Sequence, residues 1–478
     1  MPVCSNTEHF KFEVLKRITQ LAYEGNLNID TMDEIPMELI PPGSQATVRC
    51  CVYREREIIR YRVRWATDRV NKPGVVAVMH AACEGCPINR YTVTSNCQRC
   101  VARKCVEACP FGAVSVTGRG AYIDPEKCRE CGRCAQACPY NAISDTLRPC
   151  VRACPVDAIT MDQNRRAAIN YDRCISCGAC VSSCPFGAIS DTSQIVHVIE
   201  KIRGKGEVYA IVAPAAEGQF GMATIAQIGA AVQALGFTDC VEVALGADAV
   251  AQHEAQELKE VAQRGGHMTT SCCPAFYNMI DKHFKKLMPL VSSTVSPMTA
   301  TARFVKARHP GATVVFIGPC IAKKSEARRV ESGADYVLTF DELYAMFQAR
   351  GIDPAKLKAE PTQQGSLYAK GFAQSGGVAA AVTRVLDEDG FETPASCLKC
   401  NGAAECKKAL MMLGAGRLPE TLVEGMACEG GCIAGPGSCE DPKVTVRMRQ
   451  KLLAQADKRG VNENLEQQGF AGVKMESR

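Results

Sequence analysis

The sequence predicts an α+β and α/β multidomain chain, with ferredoxin-like 4Fe-4S domains first and an α/β domain second. Three observations carry that expectation. Sixteen of the 29 cysteines fall within the 102 residues from Cys83 to Cys184, in runs separated by short segments. From about Val208 onward, short apolar stretches alternate with longer helical patterns. The 478 residues, 46% of them hydrophobic, hold material for two or three domains at ~150 residues each.

Residues 1–80 read as a mostly helical, polar region without an assigned role. HFKFEVLKRITQLAYEG is expected to be a helix, Pro41 and Pro42 a turn, and CCVYREREIIRYRVRWA an arginine-rich stretch. Its arginines fit a solvated helical face packed on the rest of the chain, or a basic docking surface for an acidic partner.

Residues 81–192 are expected to be a ferredoxin-like cluster domain of two modules. A four-iron cube needs thiolates at its corners; a C-x2-C-x2-C turn supplies three, and a distant cysteine followed by proline supplies the fourth. Cys128, Cys131, Cys134 and Cys138-Pro139 fit that pattern, as do Cys174, Cys177, Cys180 and Cys184-Pro185. Cys97, Cys100, Cys105 and Cys109-Pro110 fit it with two extra residues before the third cysteine. In two-cluster ferredoxins the fourth cysteine serves the other cluster, which groups Cys97, Cys100 and Cys105 with Cys138, and Cys128, Cys131 and Cys134 with Cys109. Cys150-x3-Cys154-Pro155 looks like the back half of a run, so Cys154 would join Cys174, Cys177 and Cys180. Cys150 and Cys184 then need Cys83 and Cys86, the pair followed by Pro87. Sixteen cysteines make four cubes; the alternative is three cubes with Cys83, Cys86, Cys150 and Cys184 free. Zinc uses the same C-x2-C hairpin, but three ferredoxin-type runs with trailing prolines speak for iron-sulfur clusters.

Residues 200–445 are expected to be α/β. VYAIVAPA, CVEVALGAD, ATVVFIGPC and ADYVLTF read as strands; ATIAQIGAAVQALGF, AVAQHEAQELKEVAQR, DELYAMFQARG and SGGVAAAVTRVLDE read as helices. Residues 446–478 form a polar C-terminal tail with no readable motif.

Three cysteine motifs in the second half are unlike ferredoxin runs: Thr270-Ser271-Cys272-Cys273-Pro274, Gly318-Pro319-Cys320-Ile321-Ala322-Lys323-Lys324-Ser325-Glu326, and Met426-Ala427-Cys428-Glu429-Gly430-Gly431-Cys432. They offer four thiolates for one more cluster, a spare thiol, glycines for close backbone approach, and a lysine able to pair with an anionic ligand. In this order the motifs resemble the signatures of the iron-iron hydrogenases, over roughly residues 97–440. The resemblance implies a two-lobed H-cluster domain, in which a 4Fe-4S cube is joined through a cysteine to a two-iron unit bearing carbon monoxide, cyanide and a bridging azadithiolate. It implies reversible reduction of two protons to hydrogen. Carried across by motif, Cys273, Cys320, Cys428 and Cys432 would hold the cube, with Cys432 the bridge. Cys272 matches the proton-relay cysteine, and Lys323 the lysine that hydrogen-bonds a cyanide. Ala213, Pro214 and Met426 match residues lining the two-iron unit. Glu254, Ser292 and Glu257 match the relay after Cys272, and Glu326 matches another acid of the family. Gly318, Met298, Ala379-Ala380 and Glu429 depart from the family's usual residues without removing a ligand.

The remaining expectations concern partners and place. A net charge of +5 does not suggest nucleic acid. The longest apolar runs fall far short of the ~20 residues that span a bilayer, so no membrane insertion is expected. MPVCSNTEHFKFEVLKRITQ lacks a charged start followed by an apolar run, which with the odd cysteine count points to a reducing, cytoplasmic compartment. The partners implied are ferredoxin or a similar electron carrier, and the maturation proteins that build the H-cluster. A hydrogen sensor and an iron-sulfur assembly or carrier protein lacking the two-iron unit are the competing readings. Cys397, Cys400, Cys406 and Cys439 could hold a further metal or be ordinary thiols; Cys4, Cys50, Cys51 and Cys240 have no assigned role.

Overall fold

A computed structural model describes residues 6–67, 74–86, 89–329, 331–360, 363–391 and 396–477. Cys4 and Pro87 lie outside them. Three helices come first: α1 (Asn6–Glu24), α2 (Ile29–Leu39) and α3 (Val52–Ala66). In α1 the buried residues Val14, Leu15, Ile18, Leu21 and Ala22 recur at helical spacing and form one apolar stripe.

The arginine-rich stretch is α3, and its charges are only partly solvated. Arg56 is buried and donates from Nε and Nη2 to the Ile40 carbonyl, 3.0 and 2.8 Å away, satisfying a carbonyl left open at the end of α2. Glu55 Oε1 accepts the amides of Thr47, Val48 and Arg49 at 2.6 to 2.9 Å. Arg62 Nη2 donates to Gly187 O at 3.1 Å, inside the cysteine-rich region. These groups lock α3 between α2 and that region, so neither a wholly solvated face nor an open docking surface describes it.

The cysteine-rich region is built from two-stranded antiparallel ladders and single helical turns. The four Cys-Pro loops at Cys109, Cys138, Cys154 and Cys184 share one backbone turn. The third residue after each cysteine has positive φ (Gly112 58°, Asn141 48°, Asp157 51°, Gly187 54°), a region that suits Gly, Asn and Asp. The next residue is always alanine, and its amide donates back to the thiol of Cys109, Cys138, Cys154 or Cys184 at 3.2 to 3.4 Å. The half-run at Cys154 therefore folds as the complete runs do.

Helix α4 (Ile195–Arg203) leads into the α/β part. Strand β1 (Val208–Val212), helix α5 (Ile225–Ala234), strand β2 (Asp239–Glu242), helix α6 (Val243–Gln263), strand β3 (Met268–Thr269), helix α7 (Pro274–His283), helix α8 (Pro297–Arg308), strand β4 (Thr313–Ile317), helix α9 (Ile321–Ala327), strand β5 (Tyr336–Leu338), helix α10 (Phe340–Arg350), helix α11 (Gly377–Glu388), strand β6 (Cys397–Asn401) and strand β7 (Leu422–Met426) follow. They make two all-parallel sheets, one ordered β2-β1-β4-β5 and one β3-β7-β6. The strand expected over CVEVALGAD stops at Glu242, and from Val243 the chain is helical. Small residues explain this: α6 lies so close to α8 that a Cβ on Gly246 would stand 2.7 Å from Pro297 O, an approach that an extended strand with larger side chains would not permit.

Helices α12 (Pro442–Leu453) and α13 (Val461–Gln468) pack onto this core, with Arg449, Val461 and Asn464 fully buried. Residues 475–477 then run antiparallel beside 293–295: Val295 N donates to Met475 O at 2.8 Å and Ser477 N to Ser293 O at 2.7 Å. The segment expected to be a plain polar tail is thus structured, because its charges find buried partners. Another buried ionic group joins distant parts of the chain. Lys324 Nζ lies 2.6 Å from Asp191 Oδ2 and 3.0 Å from Glu342 Oε2, and Lys11 Nζ lies 3.0 Å from Asp191 Oδ1 and 2.5 Å from Asp341 Oδ2. Among the described residues no helix is long and apolar enough to cross a membrane.

Candidate active site

Parallel α/β sheets present ligands at the carboxyl ends of their strands, and every second-half motif sits at such an end. Ala213 and Pro214 follow β1, Cys320 follows β4 and opens α9, Cys272 and Cys273 follow β3, and Met426 closes β7 just before Cys428 and Cys432. The two sheets bring these ends around one cavity, walled by Ala213, Pro214, Met298, Phe372, Met426 and the five cysteines of these motifs. Its wall is small and apolar by necessity: a Cβ on Gly431 would stand 2.7 Å from Ala373 O, and one on Gly435 2.6 Å from Pro319 O.

Burial and mutual repulsion push the thiols of Cys320, Cys428 and Cys432 upward, Cys320 to about 11. Four thiolates in so dry a space need a compensating cation, so the donor set fits a polynuclear iron cube. Cys177, from the last ferredoxin-type run, lines the same cavity. Burial raises its thiol to about 12, and Cys273 is among the groups whose charge it feels.

Lys323 is buried rather than solvated. Its Nζ donates to Ser296 Oγ at 2.8 Å and lies 2.7 Å from Glu326 Oε2, with the Cys272 carbonyl at 3.5 Å. Ser296 also donates to Glu326. Ser296, which caps the N-terminus of α8, was not singled out from sequence; the Ser-Pro at the head of a helical pattern was the available signal.

Cys272 is buried, its thiol pushed up by desolvation and then by the charge of Glu254. Glu254 Oε1 accepts the Ser271 amide at 3.3 Å, and Glu254 Oε2 has no hydrogen-bond partner within the protein. Burial raises the Glu254 carboxyl to about 8, with the Ser271 amide and the Ser292 hydroxyl pulling the other way. Ser292 donates to Glu257. Cys272 thus lies within the field of Glu254, and Ser292 bonds Glu257, while Glu254 Oε2 bonds neither Cys272 nor Ser292.

Fifteen of the sixteen ferredoxin-type cysteines stand near members of the sets that spacing suggests. Cys105 feels Cys138 and Cys100; Cys134 feels Cys128, Cys109 and Cys131. Cys180 feels Cys177, Cys174 and Cys154, while Cys150 feels Cys184, Cys83 and Cys86. Cys97 joins the first set by sequence, and its thiol accepts the Ala121 amide at 3.4 Å. Cys83, the ligand expected from the isolated pair, accepts the Ala167 amide at 3.3 Å. Among the described residues no three His, Cys, Asp or Glu side chains gather as tightly as the ligands of one metal ion; a cube holds its thiolates at separate corners. Cys406 Sγ donates to the Met426 carbonyl at 3.5 Å, while Cys439 lies in a different loop, its amide donating to Gln219 at 2.8 Å.

Comparison with known proteins follows the same division. The model of the iron only hydrogenase large subunit, C-terminal domain, matches residues 206–436. A 4Fe-4S binding domain matches residues 121–144, and the LdpA Fe-S cluster-binding domain matches 144–195. The periplasmic Fe hydrogenase large subunit of Nitratidesulfovibrio vulgaris is 30% identical over 315 residues, 54% of this chain and 74% of that one. Iron hydrogenase 1 of Clostridium pasteurianum is 26% identical over 280 residues, 49% of this chain and 48% of that one. The chain thus spans about half the length of that second relative. Among solved structures, a variant of the apo FeFe-hydrogenase HydA1 of Chlamydomonas reinhardtii is similar with a TM-score of 0.49 and 23% identity, over 56% of this chain and 91% of that one.

Proposed function

This chain belongs to the iron-only hydrogenase family, and we propose that it catalyses the reversible reduction of two protons to hydrogen. The observation that carries this reading is the convergence of Cys273, Cys320, Cys428 and Cys432 on one apolar cavity that also holds Cys272 and Lys323. The ferredoxin-like region and the α/β hydrogenase domain of the family are both present. In our reading the boundaries lie near residues 81, 192, 200 and 445.

The H-cluster, when bound, supplies the metal centre at which protons and electrons combine. Cys273, Cys320, Cys428 and Cys432 would hold its cube, with Cys432 the bridge, and Ala213, Pro214 and Met426 would shape the space beside it. Lys323, held in place by Ser296 and Glu326, keeps an ammonium available to an anionic ligand. Cys272 exchanges a proton with Glu254, whose carboxyl near 8 can take and give a proton around neutrality. Ser292 passes that proton to Glu257 by turning its hydroxyl. The apolar wall keeps bulk water out, so protons travel only by these groups.

Four cubes on the sixteen thiols form the electron route, ending at Cys177 beside the cavity. The outer end suits an acidic carrier such as ferredoxin. Arg99, Arg103, Lys104, Arg119, Arg129 and Arg133 are exposed there, against Glu107, Glu126 and Glu130, and Val101 is 97% exposed in the two-residue expansion of the first run. The reading includes maturation proteins that install the two-iron unit and a cytoplasmic site of action.

The test is to express the chain with the maturation machinery, record its infrared spectrum, and assay hydrogen with reduced viologen. Carbon monoxide and cyanide bands with hydrogen evolution are expected; their absence from matured protein would sink the proposal. The iron content of the same sample should correspond to five cubes plus the two-iron unit, and one cube less would favour three ferredoxin-type clusters.

A further inference from the structure

The hydrogen-bonded route does not stop at Glu257. Glu257 Oε2 accepts the hydroxyls of Ser292 and Thr294, the latter at 3.3 Å, and Oε1 accepts the Ser293 amide at 3.0 Å and the Ser293 hydroxyl. Four donors fill both carboxylate oxygens; the Ser293 side of Glu257 is open to solvent, and the Thr294 side faces inward. Thr294 opens the way onward. Its Oγ1 lies 2.8 Å from Nδ1 of His253, which stands one helical turn before Glu257 on α6.

His253 faces the buried hydroxyl with one ring nitrogen and a carboxylate near solvent with the other. Its Nε2 lies 3.8 Å from Glu476 Oε1, the two side chains being 28% and 52% exposed. Glu476 is held there by the antiparallel pairing of 475–477 with 293–295 and by Arg303 Nη1, which donates to the carbonyls of Lys474 and Glu476 at 2.7 and 3.0 Å. Glu257, through Thr294, and Glu476 are the acids set on the two sides of the ring. A histidine needed only to fill space would not require hydrogen-bonding groups at both nitrogens. Imidazole is suited to take a proton at one nitrogen and release another at the second.

We propose that His253 is the outer relay residue of the proton route, coupled to Glu257 through Thr294 and to solvent beside Glu476. In the inward direction a proton binds Nε2 while the Nδ1 proton moves to Thr294 Oγ1, and the Thr294 hydroxyl proton moves to Glu257. One proton enters, one is delivered, and no electron moves; hydrogen oxidation runs the same sequence outward. The inference rests on the hydrogenase reading only for what lies at the inner end of the route.

The test uses His253→Gln and Thr294→Val, with readouts at both ends. In matured protein with reduced methyl viologen, His253→Gln should lower hydrogen evolution by about tenfold or more, with the viologen KM and the carbon monoxide and cyanide bands unchanged. Added imidazole should restore much of the loss in His253→Gln and little of it in Thr294→Val. Independently of hydrogen chemistry, a pH jump followed by carboxyl infrared absorption should show slower protonation of Glu254 in both variants, in protein matured or not. Wild-type turnover and protonation rates in His253→Gln would overturn the proposal, and so would a slow variant that imidazole fails to rescue. A matured wild type that evolves no hydrogen, but shows the slowed carboxyl protonation in the variants, defeats the hydrogenase reading and supports the route.

Discussion

The outer and inner ends of the cysteine series are made from the same local loops but sit in different media. Around Cys97 to Cys138, Cys134 is buried, Cys131 is exposed and the other thiols are partly exposed; the amides of Ala121 and Arg99 hold the Cys97 thiol below its ordinary range. At the inner end Cys177 and Cys320 are enclosed, and burial lifts them to about 12 and about 11. The contrast separates two jobs. Loop geometry aims the sulfurs, while burial and nearby charge set how readily the site accepts an electron. Exposed cations outnumber the exposed acids around the outer end, and apolar walls line the inner end.

That contrast is open to direct attack at each end. The largest effect should come from inside: Cys272→Ala should keep the carbon monoxide and cyanide bands and lose on the order of 10²- to 10⁴-fold in hydrogen turnover with any electron donor. Retained turnover would mean that protons reach the cavity by another way. A smaller effect is expected outside, where Arg103→Glu with Lys104→Glu should slow electron delivery from an acidic ferredoxin about tenfold at low salt and leave the viologen reaction unchanged. Equal losses with both donors would move the docking site elsewhere.

The smallest effect is on stability. The Glu254 carboxyl sits at about 8 in the fold against roughly 4.3 in an unfolded chain, so the folded state holds the extra proton between those values. Its contribution to stability is fully present below about pH 4.3 and is lost as pH rises through 8. Glu254→Gln, which has nothing to titrate, should show a smaller drop in urea midpoint between pH 5 and pH 9 than the wild type. An unchanged drop would indicate that the carboxyl is already ionised at pH 5.

The cysteine sets were legible in the sequence because their geometry is local. A Cys-Pro, two further residues with Gly, Asn or Asp second, and an alanine make one turn wherever they occur, and so the half-run at Cys154 could be read beside complete runs. The strand-end motifs were legible for the same reason, although the strand read through CVEVALGAD ended early because close helix packing favoured the small residues after Glu242. Charges were misread where partners are distant. Arg56 and Arg62 look like surface residues until the Ile40 and Gly187 carbonyls are brought to them. Arg449 is buried on a helix of polar composition, where its guanidinium donates to the Lys370 carbonyl. His253 and Glu476 meet only after the chain has folded back across α8, and no short-range pattern announces that meeting.

Lys324 stands four residues after Cys320, and Asp191 seven after Cys184. Their buried contact, shared with Lys11 and Glu342, ties the segment that follows the ferredoxin-type runs to the helix that opens at Cys320 on the cavity wall. Electron tunnelling falls off exponentially with separation, so a single fixed gap gives one transfer rate where a swinging module would give a spread of rates. Breaking this contact from one side would leave an ammonium or a carboxylate buried alone, at a cost of roughly 3–5 kcal/mol. If the proposed electron route holds, the first helix, which supplies Lys11, helps to fix its inner gap, though it holds no sulfur of its own.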